Sequence, residues 1–295
     1  MDTSFVITTE SNAELPFSWE DQTGVRVLRM PYTVNGQEYF YDLGRETDIP
    51  AFYGLMRAGA SVITAQRNPS EIVEYFEPFL QAGKDILHIA FSSALSGTFN
   101  NELLAAEELR GRYPERRIEL VDSLAISAPL ALLVERATQM QREGASFDEI
   151  RDWAEAHKQS ACALFTVDDL EYLRRGGRVS GAAAFFGSVL EIKPVLYESP
   201  EGQLVPVEKV KGRKRAMKFL VDRCAAVIDR PGEQDIILCQ ADCPAEAQAL
   251  YDMAMETIRP RSIRIHPVGP VIGCHCGPGT LALCFFGKDR AALKG

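Results

Sequence analysis

The chain has 295 residues, 46% of them hydrophobic and 25% charged, with a formal net charge of −9. That is room for about two domains of an ordinary globular protein, with a surface that repels phosphate backbones, so non-specific nucleic-acid binding is not expected. Met1-Asp-Thr-Ser4 lacks the basic start of a signal peptide, and no apolar run approaches the ~20 residues of a membrane span.

Phe5-Val-Ile-Thr-Thr9 is a short β-rich run. Residues 25–34 read as another extended segment, and Asn35-Gly36 supplies a hairpin turn before residues 38–41. A helix follows Thr47 or Asp48 as cap and stops at Gly59, and a presumed strand at 61–63 comes next. Pro69-Ser-Glu opens a helix whose Ile72, Val73, Phe76, Phe79 and Leu80 share one face. Residues 85–91 are a largely apolar run, as in a buried parallel strand. A helix at 97–112, a strand at 117–121 and a helix at 127–143 continue the alternation, which predicts a parallel sheet with helices on its faces. After a helix at 147–158 the pattern restarts. Strands are expected at 161–166, 193–197, 203–210, 235–240, 262–266 and 280–286, with helices at 215–228 and 245–258. A domain boundary falls near Ser160, giving domains at 1–159 and 160–295.

Ligands of open parallel sheets bind beyond the carboxyl ends of the strands. Hydroxyl- and glycine-rich turns are placed there: Thr9-Glu-Ser-Asn-Ala-Glu-Leu-Pro16, Thr64-Ala-Gln-Arg-Asn-Pro-Ser70, Phe91-Ser-Ser-Ala-Leu-Ser-Gly-Thr98 and Asp122-Ser123. Each alone suits a helix cap; on one sheet edge they converge. Ser96-Gly97-Thr98 offers hydroxyls and backbone N–H groups, a cradle for a carboxylate or phosphate. Asp168-Asp-Leu-Glu-Tyr-Leu-Arg-Arg-Gly-Gly-Arg178 has two readings. One is a helix closed by a glycine cap, with arginines complementing its dipole; the other is a loop that closes on phosphate. The basic cluster Lys209, Lys211, Arg213, Lys214, Arg215 and Lys218 is likewise either a solvated helix start or functional.

Gly273-Cys-His-Cys-Gly-Pro-Gly279 suggests either a metal site or a backbone shaped to approach a ligand. The spacing to Cys239 and Cys243 is wrong for a zinc ribbon, and C-x-C around a histidine strains a tetrahedral site. Seven thinly spread cysteines, an odd number, do not form a disulfide framework and point to a reducing cytoplasm. No G-x-S-x-G, Walker A, G-x-G-x-x-G or H-E-x-x-H stretch is present, so no motif marks a nucleophile or a nucleotide cofactor.

Six stretches, in this order, resemble motifs of the DegV family of bacterial fatty-acid-binding proteins. Thr9–Pro16 resembles T-D-S-T-A-D-L-P, the turn at Thr64 resembles T-S-Q-P-S, and Ser92–Thr98 resembles S-S-x-L-S-G-T. Asp169-Leu-Glu-Tyr-Leu-Arg-Arg-Gly-Gly-Arg-Val-Ser180 is similar to D-L-x-Y-L-x-R-G-G-R-I-S. Leu190-Glu-Ile-Lys-Pro-Val-Leu196 is similar to L-x-I-K-P-I-L, and the stretch at 273–279 to G-x-H-x-G-P-G. The departures are Glu10 for Asp, Asn12 for Thr, Ala65 and Arg67-Asn68 in the second turn, and no glycine soon after Gly279.

The resemblance implies two α/β domains, the first with a parallel sheet and the second with a mixed sheet, holding one fatty acid between them. It implies an alkyl chain buried in the second domain and a carboxylate met by Thr64 and Ser96, with His275 close by and Glu10, Ser11, Gly97 and Thr98 in neighbouring turns. Arg175, Arg178 and Arg213 are implicated in contact with phosphate or a partner. Such proteins carry acyl groups, without a cofactor or catalysis of their own, for a separate ATP-binding kinase subunit that makes acyl-phosphate for phospholipid synthesis. Transient contact with a membrane or an acyltransferase goes with that role. The competing expectations are a stand-alone acyl- or phosphoryl-transfer enzyme and a zinc-binding protein.

Overall fold

A computed structural model describes residues 4–179 and 192–294. Ser180, and Leu190 and Glu191 of the L-x-I-K-P-I-L-like stretch, lie outside them. The N-terminal half contains β1 (Phe5–Glu10), α1 (Ser18–Thr23), β2 (Arg26–Leu28), β3 (Pro31–Val34), β4 (Gln37–Phe40), α2 (Ile49–Arg57) and β5 (Val62–Thr64). It continues with α3 (Pro69–Gln81), β6 (Asp85–Ala90), α4 (Thr98–Arg112), β7 (Ile118–Asp122), α5 (Ala128–Arg142) and α6 (Phe147–His157). Strands β2-β1-β6-β7 form the expected all-parallel sheet, with β1 and β6 fully or almost fully buried at its centre.

Local chemistry sets these elements. Asn68 and Glu71 make a reciprocal capping box at the start of α3, and Asp48 accepts from the Ala51 amide to start α2. Asn35 and Gly36, both at positive φ, form the two-residue turn joining β3 and β4.

Two expectations are corrected here. Residues 25–34 are not one strand: Ser11 Oγ accepts from the Met30 amide at 2.9 Å where β2 ends, and β3 leaves for another sheet. The strand near 61–63 does not join the parallel sheet either. It is β5, antiparallel to β3 in the small sheet β4-β3-β5, so Thr64 reaches the centre of the molecule from a different sheet than Ser96.

The C-terminal half contains β8 (Ala161–Thr166), α7 (Glu171–Gly176), β9 (Ile192–Glu198), β10 (Leu204–Lys211), α8 (Arg213–Val227) and β11 (Asp235–Gln240). It ends with α9 (Pro244–Thr257), β12 (Ser262–Pro267), α10 (Pro270–Cys276) and β13 (Leu281–Phe286). The sheet order is β10-β9-β8-β13-β11-β12; all pairs are antiparallel except β11/β12, which makes it the mixed sheet expected. Helices α8 and α9 cover one face with their own apolar cluster. The other face merges into the core of the N-terminal half through α5, which packs on β1 and β6 as well as on β8 and β13. The run from Ala128 to Val134 is buried on every side, as a helix sandwiched between two sheets must be.

In the stretch Gly273–Gly279, residues 273–276 are the last turn of α10, and Gly277 (φ 76°) and Gly279 (φ 81°) carry the chain away from it. Among the described residues no helix is long and apolar enough to cross a membrane.

Candidate functional site

Helix α10 is docked onto α2, β3 and β5 of the N-terminal half, and glycines make that approach possible. A Cβ at Gly273 would lie 2.6 Å from the Tyr53 hydroxyl, which itself donates to the Val268 carbonyl at 2.9 Å. At the start of α10, the Gly269 amide donates to both oxygens of buried Glu14 at 3.0 and 2.9 Å, and Tyr41 donates to Glu14 Oε2 at 3.3 Å. Burial pushes the Glu14 carboxyl well above its usual range, against the pull of these donors.

The docking brings together residues far apart in sequence. His275 Nε2 lies 2.8 Å from Thr64 Oγ1. The end of α7 closes over the other side of the ring, because a side chain at Gly176 would collide with His275 Nδ1. Burial, aided by the positive charge of Arg178, lowers His275 to about 4, so the imidazole is neutral at physiological pH. In the tautomer with the proton on Nε2, His275 donates to Thr64 and leaves the threonine hydroxyl free to donate to an anionic oxygen. Ser96 Oγ accepts from the Thr98 amide at 3.2 Å and pairs with Thr98 Oγ1 at 3.0 Å.

Thr64, Ser96 and His275 line one cavity of about 380 Å³, together with Arg178. Its floor is the inner face of the mixed sheet, including Ala163, Phe165, Ala282 and Cys284; Ile126 and Pro129 form part of the opposite wall. A second space, of about 610 Å³, lies on the outer side of the Thr64–His275 pair and shares Arg178 with the first. Arg175 lines only this outer space, with its guanidinium over the Tyr172 ring at 4.8 Å. Arg178 donates from Nε to the Leu95 carbonyl at 3.3 Å and so ties α7 to the serine-rich turn. The stretch at 168–178 is thus a helix with a left-handed Gly177 cap that also delivers arginines to the cavity mouth.

Other expected site residues lie elsewhere. Glu10 and Ser11 do not line the cavity. Ser11 is spent on the Met30 amide, and Glu10 turns into the N-terminal core, where its Oε1 accepts from the Phe91 amide at 3.0 Å. Thr98 is buried behind Ser96, and Gly97 lets Gln66 pack tightly, since a Cβ there would lie 2.5 Å from Gln66 Oε1. Arg213 opens α8 and donates to the Gly279 carbonyl, bracing the glycine turn without reaching the cavity. Gln66, Asn12, Ser127 and Glu198 do line it. Gln66 and Asn12 stand in stretches singled out from sequence; Glu198 carried no signal there.

Among the described residues, the one cluster of three with metal-ligand spacing is Glu10, His88 and Glu102, with no cysteine in it. His275 and its neighbouring cysteines make no such group, and burial pushes Cys274 and Cys276 up to about 12, which keeps both as thiols.

These buried groups make stability depend on pH. Burial opposes charge on His88, but the adjacent Glu102 and Glu10 carboxyls outweigh it and push it from 6.5 up to about 9. Burial, only partly offset by a basic neighbour, raises Glu102 above its usual range and Glu198 from 4.5 to about 8. All three bind a proton more tightly when folded, so their contribution is complete below the unfolded values and lost as pH rises through the folded ones. His275 and His266, both lowered to about 4, act oppositely, and their contribution is lost as pH falls through that value. Tm is therefore expected to fall between about pH 7 and 9.5, and a level Tm across that window in a pH series would contradict the assignment.

The α/β architecture thus encloses a largely apolar cavity bordered by hydroxyls, a neutral imidazole and a guanidinium. The DegV family model matches residues 4–288, and the chain belongs to that family. A DegV domain-containing protein of Clostridium perfringens is 42% identical over 286 residues, 97% of this chain and 98% of that one. One from Streptococcus pyogenes is 33% identical over 288 residues, 97% and 99% of the two chains. Among solved structures, a DegV family protein from Thermus thermophilus described as binding fatty acid superposes with a TM-score of 0.87 at 27% identity, covering 96% of this chain and 99% of that one. A fatty-acid-binding DegV family protein from Streptococcus agalactiae gives 0.84 at 28% identity, covering 97% and 99%.

Proposed function

We propose that this protein binds one long-chain fatty acid between two domains, residues 1–159 and 160–295, and presents its carboxyl group to a separate ATP-binding kinase subunit. The product is an acyl-phosphate that feeds phospholipid synthesis in the cytoplasm, and the chain performs no catalysis alone. The observation that carries this reading is the apolar cavity ending at the Thr64–His275 pair, with Ser96 and Arg178 beside it. A chain of ~16 carbons gains roughly 12 kcal/mol from burial before binding costs, so the carboxylate needs only orientation. Hydroxyls and a neutral imidazole supply it without the desolvation of a buried ion pair. Arg175 and Arg178, facing the outer space, suit the phosphorylated head or the partner.

The protein purified from a bacterial host is expected to carry fatty acid in about one equivalent, measured by native mass spectrometry and lipid extraction. Preparations that are always empty and show no affinity for long-chain acids would refute the reading. Thr64→Val keeps the side-chain shape and removes one hydrogen bond to the carboxylate, a loss of about 1–1.5 kcal/mol. Titration calorimetry on delipidated protein should show roughly tenfold weaker binding.

A further inference from the structure

The cavity is not apolar throughout. Asn12, Ser127 and Glu198 also line it, and hydrogen bonds join their segments into a seam. The Ser127 amide donates to the Asn12 carbonyl at 3.1 Å, and the Ile126 amide donates to Glu198 Oε1 at 3.3 Å. Strand register fixes where the seam ends. Glu198 lies in the same row of the mixed sheet as Ala163 and Cys284, because Leu164 pairs with Tyr197 and Ala163 with Cys284. Thr280, whose Oγ1 donates to the Cys276 carbonyl at the end of α10, is four residues back along the β13 segment, about 14 Å away at strand spacing. A ligand headed at His275 therefore meets Glu198 well past its carboxyl end.

Hydrogen bonding within the seam is incomplete. Among the described residues, Glu198 Oε2 (the residue 1% exposed) and Asn12 Oδ1 (the residue 4% exposed) have no hydrogen-bond partner. Arg290, 0% exposed, has Nη2 at 3.8 Å from Glu198 Oε2 and equally without a hydrogen bond. Ser127 Oγ has only a 4.0 Å contact with Cys239 Sγ. Ser127 and Leu124 also hold positive φ angles of 58° and 51°, unusual for residues with side chains. Buried polar atoms of this kind are costly unless something pairs with them.

We propose that this seam is a recognition subsite for a hydroxyl group on the distal part of the acyl chain, so that the favoured ligand is a hydroxylated long-chain fatty acid. The unpaired acceptor Asn12 Oδ1 calls for a donor, which a hydroxyl provides and a keto group or a double bond does not, while Glu198, a neutral acid whose Oε1 accepts from the Ile126 amide, keeps its Oε2 proton for the ligand's oxygen. The hydroxyl's own oxygen accepts from Ser127, or from Glu198 in its acid form. A site built to pair with a ligand hydroxyl discriminates strongly against the analogue lacking it, whereas a plain apolar tunnel disfavours the hydroxyl.

This inference rests on the fatty-acid reading above, and one experiment separates the two. Delipidated full-length protein is titrated with stearic acid and with a positional series of monohydroxystearic acids. One position, or two adjacent ones, should bind at least tenfold tighter than stearic acid, and the ratio should fall to about one in Glu198→Leu and in Asn12→Leu. The second variant leaves the Glu198–Arg290 pair intact should the first not fold. If stearic acid binds and every hydroxylated isomer binds equally or more weakly, the subsite is wrong and the fatty-acid reading stands. If none of the acids binds, both fail.

Discussion

Ala282→Phe is expected to abolish fatty-acid capture while leaving the protein folded. Ala282 sits on the cavity floor, opposite Phe165 on β8 and Cys239 on β11. A phenyl ring there occupies space the acyl chain needs, since an aromatic side chain covers about 150–250 Å². Excluding only four methylenes forfeits about 3 kcal/mol, more than a hundredfold in affinity. In the empty protein the ring fills a void instead of straining a packed core, so Tm should be equal or higher. The variant should elute free of lipid with an unchanged far-ultraviolet spectrum; recovery of parental amounts of fatty acid would place the acyl chain elsewhere.

Gly269→Ala is expected to be the most damaging single-methyl change at the junction of the two halves. The added Cβ collides with the Tyr41 ring, which is 2% exposed and has nowhere to retreat. Tyr41 and the Gly269 amide both hold Glu14, so relief of the clash opens the clamp at the start of α10. Overpacking of this kind costs about 3 kcal/mol, and loss of the buried carboxyl's partners adds to it. Tm should drop by several degrees, and fatty-acid affinity should fall with it, because α10 positions His275 against Thr64. Retained stability together with retained affinity would show that Glu14 and Tyr41 do not set the helix position.

Much of this was legible in the sequence wherever a local rule had no competitor. The capping box at Asn68 and Glu71, the Asn35-Gly36 hairpin and the alternation of strands and helices all follow from residues near one another in the chain. What escaped depends on distant partners. Seven residues of α10 with a glycine inside make a poor helix by propensity, and the segment is helical because Gly273 lets it settle on Phe52 and Tyr53. Strand β5 has only three residues, and its choice of β3 over the parallel sheet is a matter of tertiary pairing. Glu198 looks like an ordinary strand-end charge until Arg290, far along the chain, is seen buried beside it. Motif order singled out Thr64, Ser96 and His275, which share one cavity, and also Glu10 and Ser11, which face the interior of the N-terminal half.

The helix sandwiched between the two sheets has a consequence for the life of the protein in a cell. With α5 as a shared wall, the proposed acyl chain would fill a gap in the hydrophobic core itself, so a lipid guest would work as a removable piece of the folded interior. A guest that binds only the native state raises the free energy of unfolding with its concentration. Proteases act on opened molecules, so copies formed while acyl chains are scarce should be cleared faster than those formed in plenty. Half-life, followed in cells with and without supplied fatty acid, would then report nutrient supply through the protein's own abundance.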